Sequence, residues 1–260
     1  MVKYAVGLPN VGEFGDPQVL TELGVAAEEH GWDGVFLWDH LLYHDREWPV
    51  VNPTVVLSAI AARTRRVRIG VLMTALPRRR VQTVAKETAT LDLLSGGRLV
   101  VGAGLGSMDA EYAEFGEDPD LKVRAARLDE GLADLTRLWA ELPPAPVQRP
   151  RIPVWCPGRW PVRAGFRRAV RWDGAMPTFR DYGQERGPVP AAEFARVVDF
   201  LGEQRGSLDG FDIALEGRAA DGLVEAYAEA GMTWWVEAMG WWRGGVADAR
   251  ATITAGPPAR

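Results

Sequence analysis

The sequence predicts an α/β fold: a single (β/α)8 TIM barrel over residues 1–260. Three observations carry that expectation. Short apolar runs alternate with amphipathic stretches from one end of the chain to the other, which calls for a parallel sheet with helices outside it. The apolar runs are nearly continuous, as in "DGVFLWD", the pattern of strands buried on both faces. Eight such strand–helix units in 260 residues suit a closed barrel better than an open sheet.

The elements follow in order. "KYAVGLP" (3–9) is the first strand, and Asp16 caps a helix with Pro17 at its first position. That helix stops at Gly31, a residue suited to a left-handed cap. The second strand covers 33–39 and its helix 52–63, with Pro53 just inside the start. "VRIGVLMT" (67–74) is the third strand, followed by a helix over 80–94 closed by "SGG". "RLVVGAG" (98–104) is the fourth, with a longer helix over 123–142. The proline-rich "PPAPVQRPRIP" connects two halves of one barrel. Strand five is "IPVWCPG" (152–158) with a helix over 162–170, and strand six is "WDGAMP" (172–177). A polar loop over 178–190 leads to a helix over 191–205. Strand seven, "FDIALEG" (211–217), has its helix over 220–230; strand eight, "MTWWVEA" (232–238), has a last helix over 246–254.

Composition narrows the function classes. Hydrophobic residues at 47% and charged residues at 25% fit a soluble globular protein. A net charge of −5 argues against a nucleic-acid binder. The one cysteine, Cys156, forms no intramolecular disulfide and fits a reducing compartment. No run approaches the ~20 apolar residues of a membrane span, and the first apolar run is too short for a signal peptide. A cytoplasmic protein is expected. The three histidines, with no H-E-x-x-H and no cysteine pair, give no metal set. Eleven tryptophans against five tyrosines imply a bulky core and, for Trp38, Trp155 and one of the adjacent Trp234 and Trp235, a pocket for a flat ring. Adjacent strand residues point to opposite faces, so the other of that pair packs under a helix. Trp241 and Trp242 lie in a glycine-rich loop suited to cover the pocket's mouth.

The stretch "SGGRLVVGAGLGSMDAEY" (95–112) admits two readings. A dinucleotide fingerprint needs G-x-G-x-x-G in the first strand–helix turn. Here the third glycine comes one place early and follows the fourth strand. A barrel explains more, because barrel active sites lie at the C-terminal ends of strands. Gly104 and Gly106 then stand at that end, where bare backbone N–H groups can approach a phosphate. A tight turn with no ligand is the competing explanation.

The runs "WDGVFLWDHLL", "RIGVLMTALPRRR", "AKETATLDLLSGGRLVVGAGLG", "AEYAEFG" and "RRAVRWDGAMP" resemble, in order, the bacterial luciferase-like oxidoreductases. That family uses FMN or the deazaflavin coenzyme F420 on a (β/α)8 barrel. The resemblance implies hydride transfer between F420 and a small organic substrate. The alternatives are an FMN-dependent monooxygenase that uses oxygen, and a non-catalytic barrel that binds a flavin or a partner. It also implies a cis peptide at Leu72–Met73, before Thr74, set against the cofactor ring. Asp39 and His40 take the family's place beside the reactive ring, with His40 the candidate for proton transfer because imidazole titrates near neutral pH. His30 is expected to be structural and His44 to line the mouth. The loop Gly104, Leu105, Gly106 and Ser107 faces the cofactor by the same resemblance. Ser107 stands where glucose-6-phosphate-oxidising relatives carry glutamate, which argues against that substrate. Glu111 matches a general family glutamate. After strand five, Gly158 and Arg159 are the candidates for a phosphate, although Pro157 removes one donor. Arg78, Arg79 and Arg80 read as a solvated run or an anion-attracting rim. A homodimer is common among such barrels.

Overall fold

The computed structural model describes residues 1–183 and 186–258. Of the polar loop expected over 178–190, residues 184 and 185 lie outside the described residues. Eight strands close into a barrel in sequence order: β1 Lys3–Leu8, β2 Gly34–Leu37, β3 Arg68–Ala75, β4 Leu99–Gly104, β5 Val154–Trp160, β6 Gly174–Phe179, β7 Asp212–Gly217 and β8 Trp234–Ala238. Every pairing is parallel, and β8 returns to β1 through Trp234 opposite Lys3 and Ala238 opposite Gly7. The helices are α1 Pro17–Glu29, α2 Pro53–Arg63, α3 Val81–Ser95, α4 Ala110–Ala113, α5 Leu121–Glu141, α6 Ala164–Ala169, α7 Ala191–Arg205, α8 Val224–Glu229 and α9 Val246–Ala255.

Local signals set most boundaries. The Asp16 carboxylate accepts the Gln18 N–H (2.7 Å) at the start of α1, and Asn52 and Asp120 do the same for α2 and α5. Gly31 (φ +85°) and Gly96 (φ +69°) end α1 and α3 in the left-handed region. The His30 ring nitrogen Nδ1 lies 2.9 Å from the Ala26 carbonyl, a structural contact at the end of α1. Four elements depart from expectation. β2 ends at Leu37, so Trp38 and Asp39 leave the strand. β5 and β6 each run two residues further, to Trp160 and Phe179, which face each other in the ladder. The helix expected over 220–230 is a 3-10 turn at Ala219–Asp221 followed by α8.

The core has two parts. Outside the strands, the helices bury an extended apolar shell. Inside the barrel lies a smaller cluster dominated by Phe36, Trp155 and Trp234, whose ring centroids are 5.5–5.9 Å apart. Glycines make room for these rings: a Cβ on Gly34 would sit 3.1 Å from Trp234, on Gly70 3.2 Å from Phe36, and on Gly174 2.5 Å from Trp155. Large rings opposite missing side chains fill the tube without voids. Trp234 faces this interior, whereas Trp235 faces out and stacks on Tyr227 of α8 (6.1 Å, 12°). Trp155 is fully buried in the same interior layer rather than at a pocket wall.

The entry to β3 is clamped from below. Glu28 accepts the N–H groups of Arg65, Arg66 and Val67, and the buried Arg98 guanidinium caps the carbonyls of Ala61, Thr64 and Val67. Bonds to otherwise orphaned backbone groups fix where β3 starts, and with it where its far end emerges.

Replacing Gly174 by valine tests the ring-and-glycine packing. Its side chain would meet Trp155 at 2.5 Å and the Asp212 carbonyl at 2.8 Å. We expect a loss of about 1–3 kcal/mol, read as a lower urea midpoint at unchanged slope.

Candidate active site

Asp39, just past β2, turns inward with its side chain fully buried. Its carboxylate accepts the Ala75 N–H at the end of β3 (2.9 Å) and pairs with Arg79 (2.5 Å) and Arg78 (3.3 Å). Arg78 is only 2% exposed. It donates to the Asp39 carbonyl (2.5 Å) and to the Glu111 carboxylate (2.6 Å). It is therefore a buried bridge, neither a solvated charge nor a rim that attracts anions. Glu111 arrives on α4, the short helix after the glycine loop. Its other oxygen accepts the Leu41 N–H (2.6 Å) and faces His40 Nδ1 at 3.2 Å. Asn10, after β1, holds the His40 backbone by accepting its N–H (3.2 Å) and donating to its carbonyl (3.0 Å).

His40 is thus fixed at its backbone and at Nδ1, with 12% of its side chain exposed. Burial works to raise the Glu111 carboxyl. The bonds from His40 and the Leu41 N–H, together with the Arg78 charge, outweigh that and hold it below the usual carboxylate range. An ionised Glu111 favours the Nδ1–H form of His40 and leaves Nε2 as the nitrogen able to exchange a proton.

The Leu72–Met73 peptide is cis, as the resemblance implies, and the β3–β4 register shifts between Val71 and Thr74. Gly104 packs against this bend: a Cβ there would lie 3.1 Å from both Met73 and Pro157. The Leu105 carbonyl accepts the Tyr112 hydroxyl (2.7 Å), and buried Arg124 lies over the Tyr112 ring (4.7 Å). The structure therefore gathers Asp39, His40, Leu72, Met73, Thr74, Gly104, Leu105 and Gly106 around the exits of β2, β3 and β4, with Ser107 exposed beside them. Gly158 and Arg159 stand apart, inside β5. A Cβ on Gly158 would lie 2.5 Å from Phe166, so this glycine admits α6, and Arg159 is exposed.

A cavity of about 370 Å3 opens at the exits of β6, β7 and β8, walled by Phe179, Tyr182, Tyr227 and Trp242, with Arg218, Arg243 and Glu216 among its polar groups. None of the residues expected to hold a cofactor lines it. Between it and His40 stands a pair of stacked rings, Trp38 on Trp242 (5.3 Å, 12°), with Trp38 edge-on to His40 (5.8 Å). Trp241 packs on Trp48 and Tyr43 at the mouth, and His44 lies edge-on to Tyr43.

Two functional groups escaped the sequence reading: Arg78 as a bridge, and Glu216. Burial pushes the Glu216 carboxyl up to about 7, with Arg243 opposing. The available signal for Glu216 was the alternation of β7, which points residues 212, 214 and 216 into the barrel. Cys156 is buried and its thiol is pushed up to about 12, which leaves it inert. Among the described residues, no group of three His, Cys, Asp or Glu is placed to hold a metal ion, and no helix is long and apolar enough to cross a membrane.

A closed parallel barrel whose polar groups converge at the strand exits is an enzyme-type α/β barrel in architecture. The luciferase-like monooxygenase family matches residues 5–193, and the chain belongs to that family. It is similar to the F420-dependent glucose-6-phosphate dehydrogenase of Gordonia bronchialis, 35% identical over 138 residues covering 52% of this chain and 41% of that protein. It is also similar to 4-hydroxyprotoasukamycin monooxygenase of Streptomyces nodosus subsp. asukaensis, 30% identical over 224 residues covering 79% and 60%. The chain thus spans about two fifths of the length of the dehydrogenase relatives it matches. In structure it resembles an F420-dependent secondary alcohol dehydrogenase crystallised with an F420–acetone adduct (TM-score 0.77, 16% identity, 98% of this chain and 96% of that one), a likeness of fold.

Two outcomes follow from the charges. Arg78→Met leaves Asp39 and Glu111 short of a buried counter-charge and should cost about 3–5 kcal/mol, whereas Arg80→Met at an exposed position should stay within about 0.5 kcal/mol, both by denaturant melts. Glu216 titrates near 7 when folded and near its ordinary 4.5 when unfolded, so the folded state holds the extra proton between those values. Its stabilising contribution is full below the unfolded pKa and is lost as pH rises through 7, a swing on the order of 3 kcal/mol. Glu216→Gln should flatten that part of the stability–pH curve; a curve of unchanged shape would refute the assignment.

Proposed function

We propose that this protein is an oxidoreductase that transfers hydride between coenzyme F420 and a small organic substrate, with residues 1–260 acting as one unit in the cytoplasm. The observation that carries this reading is the His40 Nδ1–Glu111 pair, held by Arg78 and the Leu41 N–H at the strand exits. The residues present fit a flat cofactor. Above the three-ring layer, the inward positions of β1, β4 and β8 carry the small residues Gly7, Gly104 and Ala238.

In this reading Asp39, His40, Leu72, Met73, Thr74 and the Gly104–Ser107 loop hold the ring, and Gly158 and Arg159 are assigned to the phosphate. When bound, the cofactor supplies the hydride chemistry. The chain's own residues orient and protonate. Glu111 fixes the His40 tautomer and stabilises an imidazolium when one forms. His40 Nε2 exchanges the proton that accompanies oxidation or reduction of the substrate. Arg78 keeps Glu111 ionised, so that the carboxylate does not itself take the proton. The aromatic rings of Trp38, Trp241 and Trp242 keep water from the site.

A second reading is an FMN-dependent monooxygenase. It is favoured by the Streptomyces nodosus monooxygenase, whose match extends over 79% of this chain.

Titration of the purified protein with F420 and with FMN, followed by cofactor absorbance and fluorescence, separates the readings. Saturable F420 binding is expected. FMN binding with oxygen-dependent turnover would replace the F420 reading, and spectra unchanged by either cofactor would leave a non-catalytic barrel. His40→Asn should lower kcat by about 10²–10⁴-fold at saturating cofactor; undiminished turnover would remove His40 from the chemistry.

A further inference from the structure

We infer that the cavity at the exits of β6, β7 and β8 binds a small aromatic molecule through a hydroxyl group, which donates to the Glu216 carboxylate and accepts from the Trp242 indole N–H. This deepens the proposed function and rests on its reading of the barrel's C-terminal face as the substrate's place. It does not depend on which cofactor is used.

Two orphaned polar atoms carry the inference. Glu216 Oε1 is buried with no hydrogen-bond partner, and so is Trp242 Nε1. Both residues border the same cavity. Glu216 reaches this place because β7 alternates: Ala214 lies in the interior cluster, Leu215 in the outer shell, and Glu216 points inward again, one layer nearer the opening. Its Oε1 overhangs Gly7, where an added Cβ would lie 3.7 Å away.

Two of the nearby donors, Arg243 Nη1 and Trp235 Nε1, are already engaged. Arg243 Nη1 donates to the carbonyls of Gly217 (2.7 Å) and Ala238 (3.1 Å), and Trp235 Nε1 donates to Glu237 (2.8 Å). A buried acceptor and a buried donor left unmade are each costly. A hydroxyl offers one donor and two lone pairs and is the smallest organic group able to answer both. An ammonium answers only the carboxylate, and a ligand carboxylate answers only the indole. Phe179, Tyr182 and Tyr227 supply faces for an aromatic body.

The test uses the whole protein without cofactor, at about pH 8, where Glu216 is ionised. Benzyl alcohol, toluene, benzylamine and benzoate are titrated by calorimetry and by tryptophan fluorescence. Benzyl alcohol should bind at least about tenfold more tightly than toluene, the scale of one hydrogen bond to a charged group. It should also bind more tightly than benzylamine or benzoate. In Glu216→Leu the preference for the alcohol over toluene should vanish while toluene still binds, which shows the cavity intact; Trp242→Phe should remove part of the preference. Equal binding of benzyl alcohol and toluene to the unaltered protein, no binding of either, stronger binding of the amine or benzoate, or a preference retained in Glu216→Leu overturns the inference. Because no cofactor is present, a failed F420 or FMN titration with the alcohol preference intact removes the cofactor reading alone.

Discussion

Arg78 between two buried carboxylates is the contact on which the organisation of the C-terminal rim depends. Its guanidinium reaches the Asp39 carbonyl on one side and Glu111 on the other, while Arg79 completes the balance on Asp39. Two cations face two anions in a place with little water, and a planar fork of donors is the side chain suited to span them. The bridge ties the exits of β2 and β3 to α4, elements far apart in the chain. Without it Glu111 would have less reason to stay ionised, and His40 would lose the partner that fixes its ring. Burying such a set stabilises little in itself; its effect is to define one arrangement of the rim.

The barrel interior is divided along its axis, and that division says where chemistry can happen. Phe36, Trp155 and Trp234 fill the middle, each taking space that a glycine on another strand gives up. Above them the inward positions shrink to Gly7, Gly104 and Ala238, with Glu216 the carboxyl among them. The packed middle leaves the C-terminal end, where the strand exits converge, as the place for a ligand.

Much of this was legible in the residues. The order of elements, the cap at Asp16 and the stops at Gly31 and Gly96 are local signals, and the structure repeats them. That one of Trp234 and Trp235 points inward and the other outward follows from strand alternation; the structure shows Trp234 to be the inward one. The end of β5 was not legible. Pro157 and Gly158 look like a stop, yet beyond Trp155 the strand is laddered only to β6, where a residue without an N–H is tolerated. Arg78 was hidden for a different reason. Three consecutive arginines carry no mark of burial, and only the return of the chain through α4 brings Glu111 to the first of them. For Glu216 the alternation of β7 gave the inward direction, but one acid in an apolar strand becomes informative only when the barrel closes around it.

Closure itself has a consequence for how the molecule is made. β1 pairs with β8 along its length, and the Trp32 indole N–H reaches the Ile253 carbonyl, 221 positions away. During synthesis β1 therefore waits with one edge bare until β8 has emerged. Contacts between such distant segments are slow to form, and an open strand edge invites pairing with other chains. Yield in the cell is thus expected to depend on how well that edge is shielded while the ring is incomplete, a demand made by topology and independent of any ligand.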